Sequence, residues 1–254
     1  MKRRDWRRAA GVLVVPLLLA LSVSPAHAFS STANEGTSLA GMAGPSRPVT
    51  TAQAAPAPCN DSAYSLLGGK WKQALSWRYQ SSSPPGDLNA ANVLNVIKRS
   101  FNNITDARND CGLADTVGAT ANYLGTTSTT PNVTRRGRCS PSDGMNIVGF
   151  GDLPAGILAI TCIRYGNSNT ITEADVRINT DYDWVLSTAA CQSWEELLEP
   201  TMTHEIGHMF GLDHVGERKH GRLTMSTTSD GPCSNSESTL GLGDVRGLRH
   251  LYPI

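Results

Sequence analysis

Apolar residues recur at two different spacings along the chain, which predicts helices interleaved with strands. Over Leu88–Ile104 they follow the helical period, and Asp87 is a suitable N-cap for that helix. Over Ile171–Asn179 apolar and polar residues alternate, as in a half-buried strand. Further strands are expected at Gln73–Tyr79, Thr116–Leu124, Asn146–Phe150 and Ile157–Arg164, and further helices over Thr201–Gly211 and Asp244–Leu251. This order of elements predicts an α/β or α+β layered domain.

The segment Phe29–Pro58 shows no such periodicity. It consists mostly of Ser, Thr, Ala, Gly and Pro, and a segment of this composition buries too little apolar surface to offset the entropy of ordering it. We therefore interpret residues 29–58 as a linker, a tail or a removable pro-segment. The compact domain is expected to span residues 59–254, which is long enough for one core.

The N-terminus has the layout of a secretory signal peptide. A basic stretch ends at Arg8, an apolar run covers Gly11–Leu21, and an Ala-x-Ala sequence ends at Ala28. The alternative is a membrane anchor, but an apolar run of 11 residues is short of the ~20 needed to span a bilayer. We expect cleavage after Ala28, a secreted extracellular protein and no stable membrane insertion.

The charge distribution argues against one class of function. The formal net charge is zero, but the first eight residues carry five basic side chains and one acidic side chain. Without them the chain keeps 17 basic and 21 acidic side chains and has no basic stripe. Because nucleic-acid binding depends on clustered Lys and Arg, no nucleic-acid partner is expected.

All six cysteines lie beyond the expected signal peptide. An even number of cysteines in an oxidising compartment predicts disulfides, and the sequence leaves 15 pairings open. A free Cys59 would leave an odd, reactive set, so we expect Cys59 to be bridged rather than to bind a metal. The cysteines are Cys59, Cys111, Cys139, Cys162, Cys191 and Cys233.

One stretch, HEIGHMFGLDH at residues 204–214, has the spacing of a metal site. On a helix, His204 and His208 share one face, so their ring nitrogens can converge on one ion. Gly211 can end the helix through a left-handed conformation and return His214 as a third ligand. Three imidazoles leave a fourth position for water, which is typical of catalytic zinc.

Glu205 completes the interpretation of this stretch. It is about 100° further round the helix than His204, so it is badly placed as a third helix ligand but can reach a water on the ion. There it can act as general base and then pass the proton to a leaving amine. The alternative from another class is a secreted binding module with a structural metal, but such a site has no use for this carboxylate.

The stretch matches the H-E-x-x-H-x-x-G-x-x-H signature of the metzincin metalloproteases. Its surroundings resemble the matrixins, and in particular their secreted bacterial relatives. Asn146–Ala159 resembles the segment that leads into the strand above the cleft, Glu173–Asn179 resembles the strand along bound substrate, and Asp244–Tyr252 resembles the closing helix. The similarity spans most of residues 71–252, although only the zinc motif is highly specific.

The resemblance implies a metzincin-like zincin fold with a twisted, mostly parallel five-stranded sheet, long helices and a small C-terminal lobe. It also implies Met225 as the methionine of a turn beneath the metal. Two departures from the matrixin pattern are Val215, where Ser is usual, and the lack of a Tyr-Pro near Met225. We expect the substrate to extend along an edge strand around Ala174–Asn179.

The sequence therefore predicts a secreted, monomeric zinc endopeptidase that acts on extended peptide or protein substrates. His204, His208 and His214 are the expected Zn²⁺ ligands and Glu205 is the expected catalytic residue. Asp181 and Asp183 resemble the acidic stretch that holds Ca²⁺ in matrixins, and a solvated acidic loop is the alternative.

Overall fold

A computed structural model of the protein describes residues 31–33, 37–44 and 55–254. The expected signal peptide and its cleavage site lie outside these ranges. Within the described ranges, no helix is long and apolar enough to cross a membrane.

Eleven strands and four α-helices are present in the described residues. The strands are β1 (Ser31–Ala33), β2 (Thr37–Ala40), β3 (Ser65–Leu66), β4 (Leu75–Gln80), β5 (Ala121–Thr127), β6 (Ile147–Gly151), β7 (Ala159–Tyr165), β8 (Ile171–Asn179), β9 (Trp184–Val185), β10 (Glu196–Leu197) and β11 (Leu212–Asp213). The helices are α1 (Ala90–Thr105), α2 (Leu198–Met209), α3 (Glu217–His220) and α4 (Leu242–Leu251).

The main sheet has the order β1-β2-β7-β8-β6-β4-β5. Its five strands from Leu75 to Asn179 form the expected, mostly parallel sheet, in which only β7 runs antiparallel to its neighbour β8. The fold class is confirmed, and β1 and β2 extend this sheet to seven strands. They lie within residues 29–58, for which composition predicted no order.

The expected position of the substrate strand was wrong. β8 has the predicted bounds, but it is an interior strand that pairs with β6 on one side and with β7 on the other. Of the five strands between Leu75 and Asn179, β7 is the outermost strand on the side of the metal site, and β2 pairs with its outer edge. Alternation predicted the strand but could not indicate its place in the sheet.

Two other boundaries differ from expectation for local reasons. Helix α1 begins at Ala90 because the side chain of Asn89, rather than that of Asp87, accepts hydrogen bonds from the backbone of Ala91 and Asn92. The strand expected from residue 116 begins only at Ala121, since the Gly118 amide donates to the Tyr252 carbonyl instead of joining the sheet.

The core lies between the sheet and the two long helices. Trp77 of β4 stacks on Phe101 of α1, with ring centroids 4.2 Å apart. Helix α2 packs against α1 and against β7. Met202 and Met209, which stand just before and within the zinc motif, are fully buried in the core. Helix α2 is therefore anchored on both sides by protein contacts alone.

All six cysteines are paired, as expected. The disulfides are Cys59–Cys111, Cys139–Cys162 and Cys191–Cys233. The first ties the beginning of the domain to the segment after α1 and closes a loop of 52 residues. Cys59 is therefore not available as a thiolate ligand.

Candidate metal centre

Helix α2 carries two of the three histidines of the motif. His204 and His208 are four residues apart and both fully buried, so their rings point into the same interior space. Such burial of histidine requires partners for both ring nitrogens.

The chain reverses at Gly211, as predicted. Gly211 has a φ of 92° and its amide donates to the His208 carbonyl, which closes the end of the helix. A Cβ at this position would lie 2.3 Å from the Gly69 carbonyl oxygen, so a larger residue does not fit. β11 then pairs antiparallel with β3 and brings His214 back towards the helix.

The three imidazoles converge on one point. The Nε2 atoms of His204 and His208 are 2.9 Å apart, and each lies 3.1 Å from the Nε2 atom of His214. At this spacing a single ion can contact all three nitrogens at roughly 2.0–2.1 Å, the usual Zn–N distance. In the described part of the chain, these histidines form the only cluster of three or more His, Cys, Asp or Glu side chains that could hold a metal.

Backbone carbonyls orient two of the rings. His204 Nδ1 lies 2.7 Å from the Thr224 carbonyl, and His208 Nδ1 lies 2.9 Å from the Leu212 carbonyl. Because a carbonyl only accepts, these Nδ1 atoms carry the protons and the Nε2 atoms present lone pairs. Lone pairs this close repel one another unless a cation lies between them, so the donor set fits zinc.

Electrostatics keep the histidines neutral, as metal ligands must be. Burial, together with the neighbouring His214, lowers the pKa of His204 to about 3. Burial lowers the pKa of His208 well below its usual value. It lowers the pKa of His214 to about 4, although Asp213 and the Gly41 backbone favour the charged form.

Glu205 is fully buried beside the histidines but is not one of the converging groups. One carboxyl oxygen accepts the Thr161 hydroxyl of β7 and the other accepts the Met42 amide at 2.8 Å. Burial raises the pKa of Glu205 to about 8, against the opposing effect of both hydrogen bonds. Thr161 and Met42 were not identified from the sequence, because neither belongs to a motif.

Met225 packs against α2 at Gly207. A Cβ on Gly207 would be 2.5 Å from the Met225 sulfur, so the glycine makes room for the methionine. The Met225 carbonyl accepts the Val215 amide, and residues 215 and 226 form a parallel bridge. This link uses only the backbone of Val215, so the departure from Ser leaves it unaffected.

Asp244 is a supporting residue that sequence reasoning placed only at a helix start. It is buried, and its carboxylate accepts the amides of Thr224, Met225 and Gly241 at 3.0, 3.3 and 2.9 Å. Asp244 thereby fixes the turn whose Thr224 carbonyl orients His204. An acidic residue in the first turn of a helix was the available signal.

The expected calcium residues are not gathered into a comparable site. Asp181 and Asp183 are both exposed in the loop between β8 and β9. Neither belongs to a cluster of three potential ligands in the described residues.

Comparison with known proteins supports the interpretation of the three histidines as a metal centre. The matrixin family model matches residues 150–253, a range that contains α2, the turn at Gly211, His214 and Met225. A search of curated proteins found no match. The family match makes residues 150–253 similar to the matrixins and supports a matrixin-like metzincin. The family is one of zinc metalloproteases, which act on peptide or protein substrates.

Proposed function

We propose that the protein is a secreted zinc endopeptidase in which His204, His208 and His214 hold the metal and Glu205 is the catalytic residue. The observation that carries this proposal is the convergence of three Nε2 atoms, those of the buried His204 and His208 and of the partly buried His214, beside a buried carboxyl group. Met225 would support the histidines from beneath α2.

When bound, zinc supplies the Lewis acid that polarises the scissile carbonyl and lowers the pKa of water. Glu205 then accepts the proton of the attacking water and passes it to the amine that leaves. The Thr161 hydroxyl holds one oxygen of Glu205, so the other is directed towards the cleft.

We propose an extracellular location for the mature chain, with the signal peptide of residues 1–28 removed. Three disulfides are consistent with an oxidising compartment, as is the lack of a membrane-spanning helix among the described residues. A catalytic domain over residues 59–254 and a monomeric state belong to the same proposal. Calcium binding by Asp181 and Asp183 stays a prediction from the resemblance.

The competing function is a secreted binding module with a structural metal. Structural zinc sites are closed by four protein ligands. Here the described residues supply three histidines and, next to them, a carboxyl group that the cluster does not use. This arrangement favours catalysis over a purely structural role.

Metal analysis combined with a cleavage assay tests the proposal. We expect one zinc per chain and cleavage of an unstructured protein that stops when a chelator removes the metal and returns when zinc is added. One tightly held zinc without cleavage of any unstructured protein would instead establish the binding module.

A further inference from the structure

Residues 37–44 lie across the metal centre as an extended strand. β2 pairs antiparallel with the outer edge of β7, from Thr37 opposite Arg164 to Ala40 opposite Thr161. Past β2 the chain stays extended, and Ala43 bridges Ile157 antiparallel on one side and Thr228 parallel on the other. The segment therefore lies in a cleft with two walls. One wall is formed by β7 and the residues just before it, and the other by the residues around Thr228.

The backbone bonds on these two walls continue residue by residue. The Met42 carbonyl accepts the Leu158 amide at 2.9 Å, and the Gly44 amide donates to the Gly156 carbonyl at 2.9 Å. Ala43 donates to Thr227 at 3.1 Å and accepts from Ser229 at 3.2 Å on the opposite wall. Main-chain bonds of this kind recognise any extended peptide, whatever its side chains.

The cleft restricts which residues fit at two positions of the segment. Met42 is fully buried and belongs to the main core, so the cleft has an apolar recess for this position. Gly41 lies so close to β7 that a Cβ would be 2.4 Å from the Ala159 carbonyl oxygen. The cleft thus accommodates glycine followed by a long apolar residue.

The bond between these two residues lies between the catalytic groups. The Met42 nitrogen is 2.8 Å from a Glu205 carboxyl oxygen, the position from which a proton would reach a leaving amine. The Gly41 backbone lies within hydrogen-bonding reach of the His214 ring. The two residues of one peptide bond therefore lie beside a proposed metal ligand and the proposed general base respectively.

We propose that the protein hydrolyses its own Gly41–Met42 bond, and that residues 37–44 are its first substrate. The inference rests on the proposed function. Water adds to the Gly41 carbonyl carbon, the C–N bond breaks, and Glu205 transfers a proton of that water to the Met42 nitrogen. The products are a Gly41 carboxylate and a chain that begins at Met42. Until this bond is cut, the segment blocks the cleft.

The test uses the full chain loaded with zinc, followed by intact mass and N-terminal sequencing. We expect a new N-terminus at Met42, formed at a rate independent of protein concentration because the bond lies in the chain's own cleft. Met42→Asp should slow the cut at least ~10²-fold, since a charge does not enter an apolar recess. The matched control Met42→Leu should be cut nearly as wild type.

A second measurement does not depend on activity. Glu205→Gln keeps an acceptor oxygen and leaves the chain uncut, so hydrogen exchange can report whether the cleft is occupied. We expect the Ala43 and Gly44 amides to exchange at least ~10²-fold more slowly than in an unstructured peptide. Free exchange at both amides would overturn occupancy of the cleft.

Failure of this inference differs from failure of the proposed function. If the zinc-loaded chain cleaves an added unstructured protein while its own Gly41–Met42 bond stays intact, the enzyme stands and the proposed self-cleavage is wrong. A cut at another bond of the chain would equally overturn self-cleavage between Gly41 and Met42. If neither the added protein nor the chain itself is cleaved, both proposals are wrong.

Discussion

Two stretches of this chain resemble metal-binding segments, and they differ in how closely the structure brings their potential ligands together. In the zinc motif, three imidazole nitrogens lie 2.9–3.1 Å from one another. In the acidic loop, Asp181 and Asp183 are exposed to solvent, and neither belongs to a cluster of three or more His, Cys, Asp or Glu side chains among the described residues. One stretch has the geometry of a site before the ion arrives, whereas the other has only the residue types.

The difference lies in what surrounds the ligands. Backbone carbonyls of Thr224 and Leu212 fix the rings of His204 and His208, and burial removes the water that would otherwise solvate them. Exposed carboxylates keep their hydration and must be ordered when the ion binds. A metal site is thus defined as much by its supporting bonds as by its ligands.

The sharpest test of the zinc site separates binding from chemistry. Glu205→Ala should keep the metal, because all three imidazoles remain, but lower the rate of peptide hydrolysis by ~10²–10⁴ through loss of the general base. Zinc stoichiometry and turnover of an unstructured protein measure the two effects. Comparable turnover in a folded, zinc-loaded variant would remove Glu205 from the mechanism.

The turn that returns the third histidine should matter as much as the ligand. His214→Ala should weaken zinc binding by at least ~10²-fold, since even loss of an outer-shell partner costs about 10–100-fold. Gly211→Val should weaken it too, because Gly211 has a φ of 92° and no room for a Cβ beside Gly69.

Competition with a chromophoric chelator measures zinc affinity in both variants. The matched control is Gly216→Ala, at a glycine with negative φ and open space around its Cβ position. Normal zinc affinity in folded Gly211→Val would show that the reversal does not position His214.

The supporting bonds can be tested without touching a ligand. Asp244→Ala leaves three buried amides without an acceptor and should lower the free energy of unfolding by about 2–4 kcal/mol. The exposed Asp181→Ala should change it by less than about 0.5 kcal/mol. Urea unfolding of both variants checks this contrast, and equal effects would contradict it.

The smallest expected effect concerns the acidic loop. If it binds Ca²⁺ as weakly as extracellular modules do, about 1 mM calcium should raise the free energy of unfolding by about 0.5–1.5 kcal/mol. Replacing Asp181 and Asp183 by Asn should abolish the rise. Calcium titrations of thermal unfolding measure it. An unchanged midpoint in the wild type would identify a solvated loop and sharpen the contrast with the histidines.

Sequence periodicity located most elements but not their environment. It predicted β8 at its observed bounds. The resemblance assigned substrate binding to that strand, and alternation could not correct this because it reports burial and not the order of strands. The order is set by pairings between distant residues. The outer edge of the sheet next to the metal site belongs to β7. The segment that pairs with this edge comes from a stretch whose composition predicted no structure.

The sequence by itself determined the candidate ligand set and the turn that assembles it. The spacing of His204 and His208 and the glycine at 211 act within eleven residues, where helical geometry and backbone sterics are local rules. Only the tertiary structure decided the place of Glu205 between Thr161 and Met42, the support from Asp244, and the position of residues 37–44 in the cleft. These contacts join residues far apart in the chain and depend on how the whole domain packs, which no local pattern records.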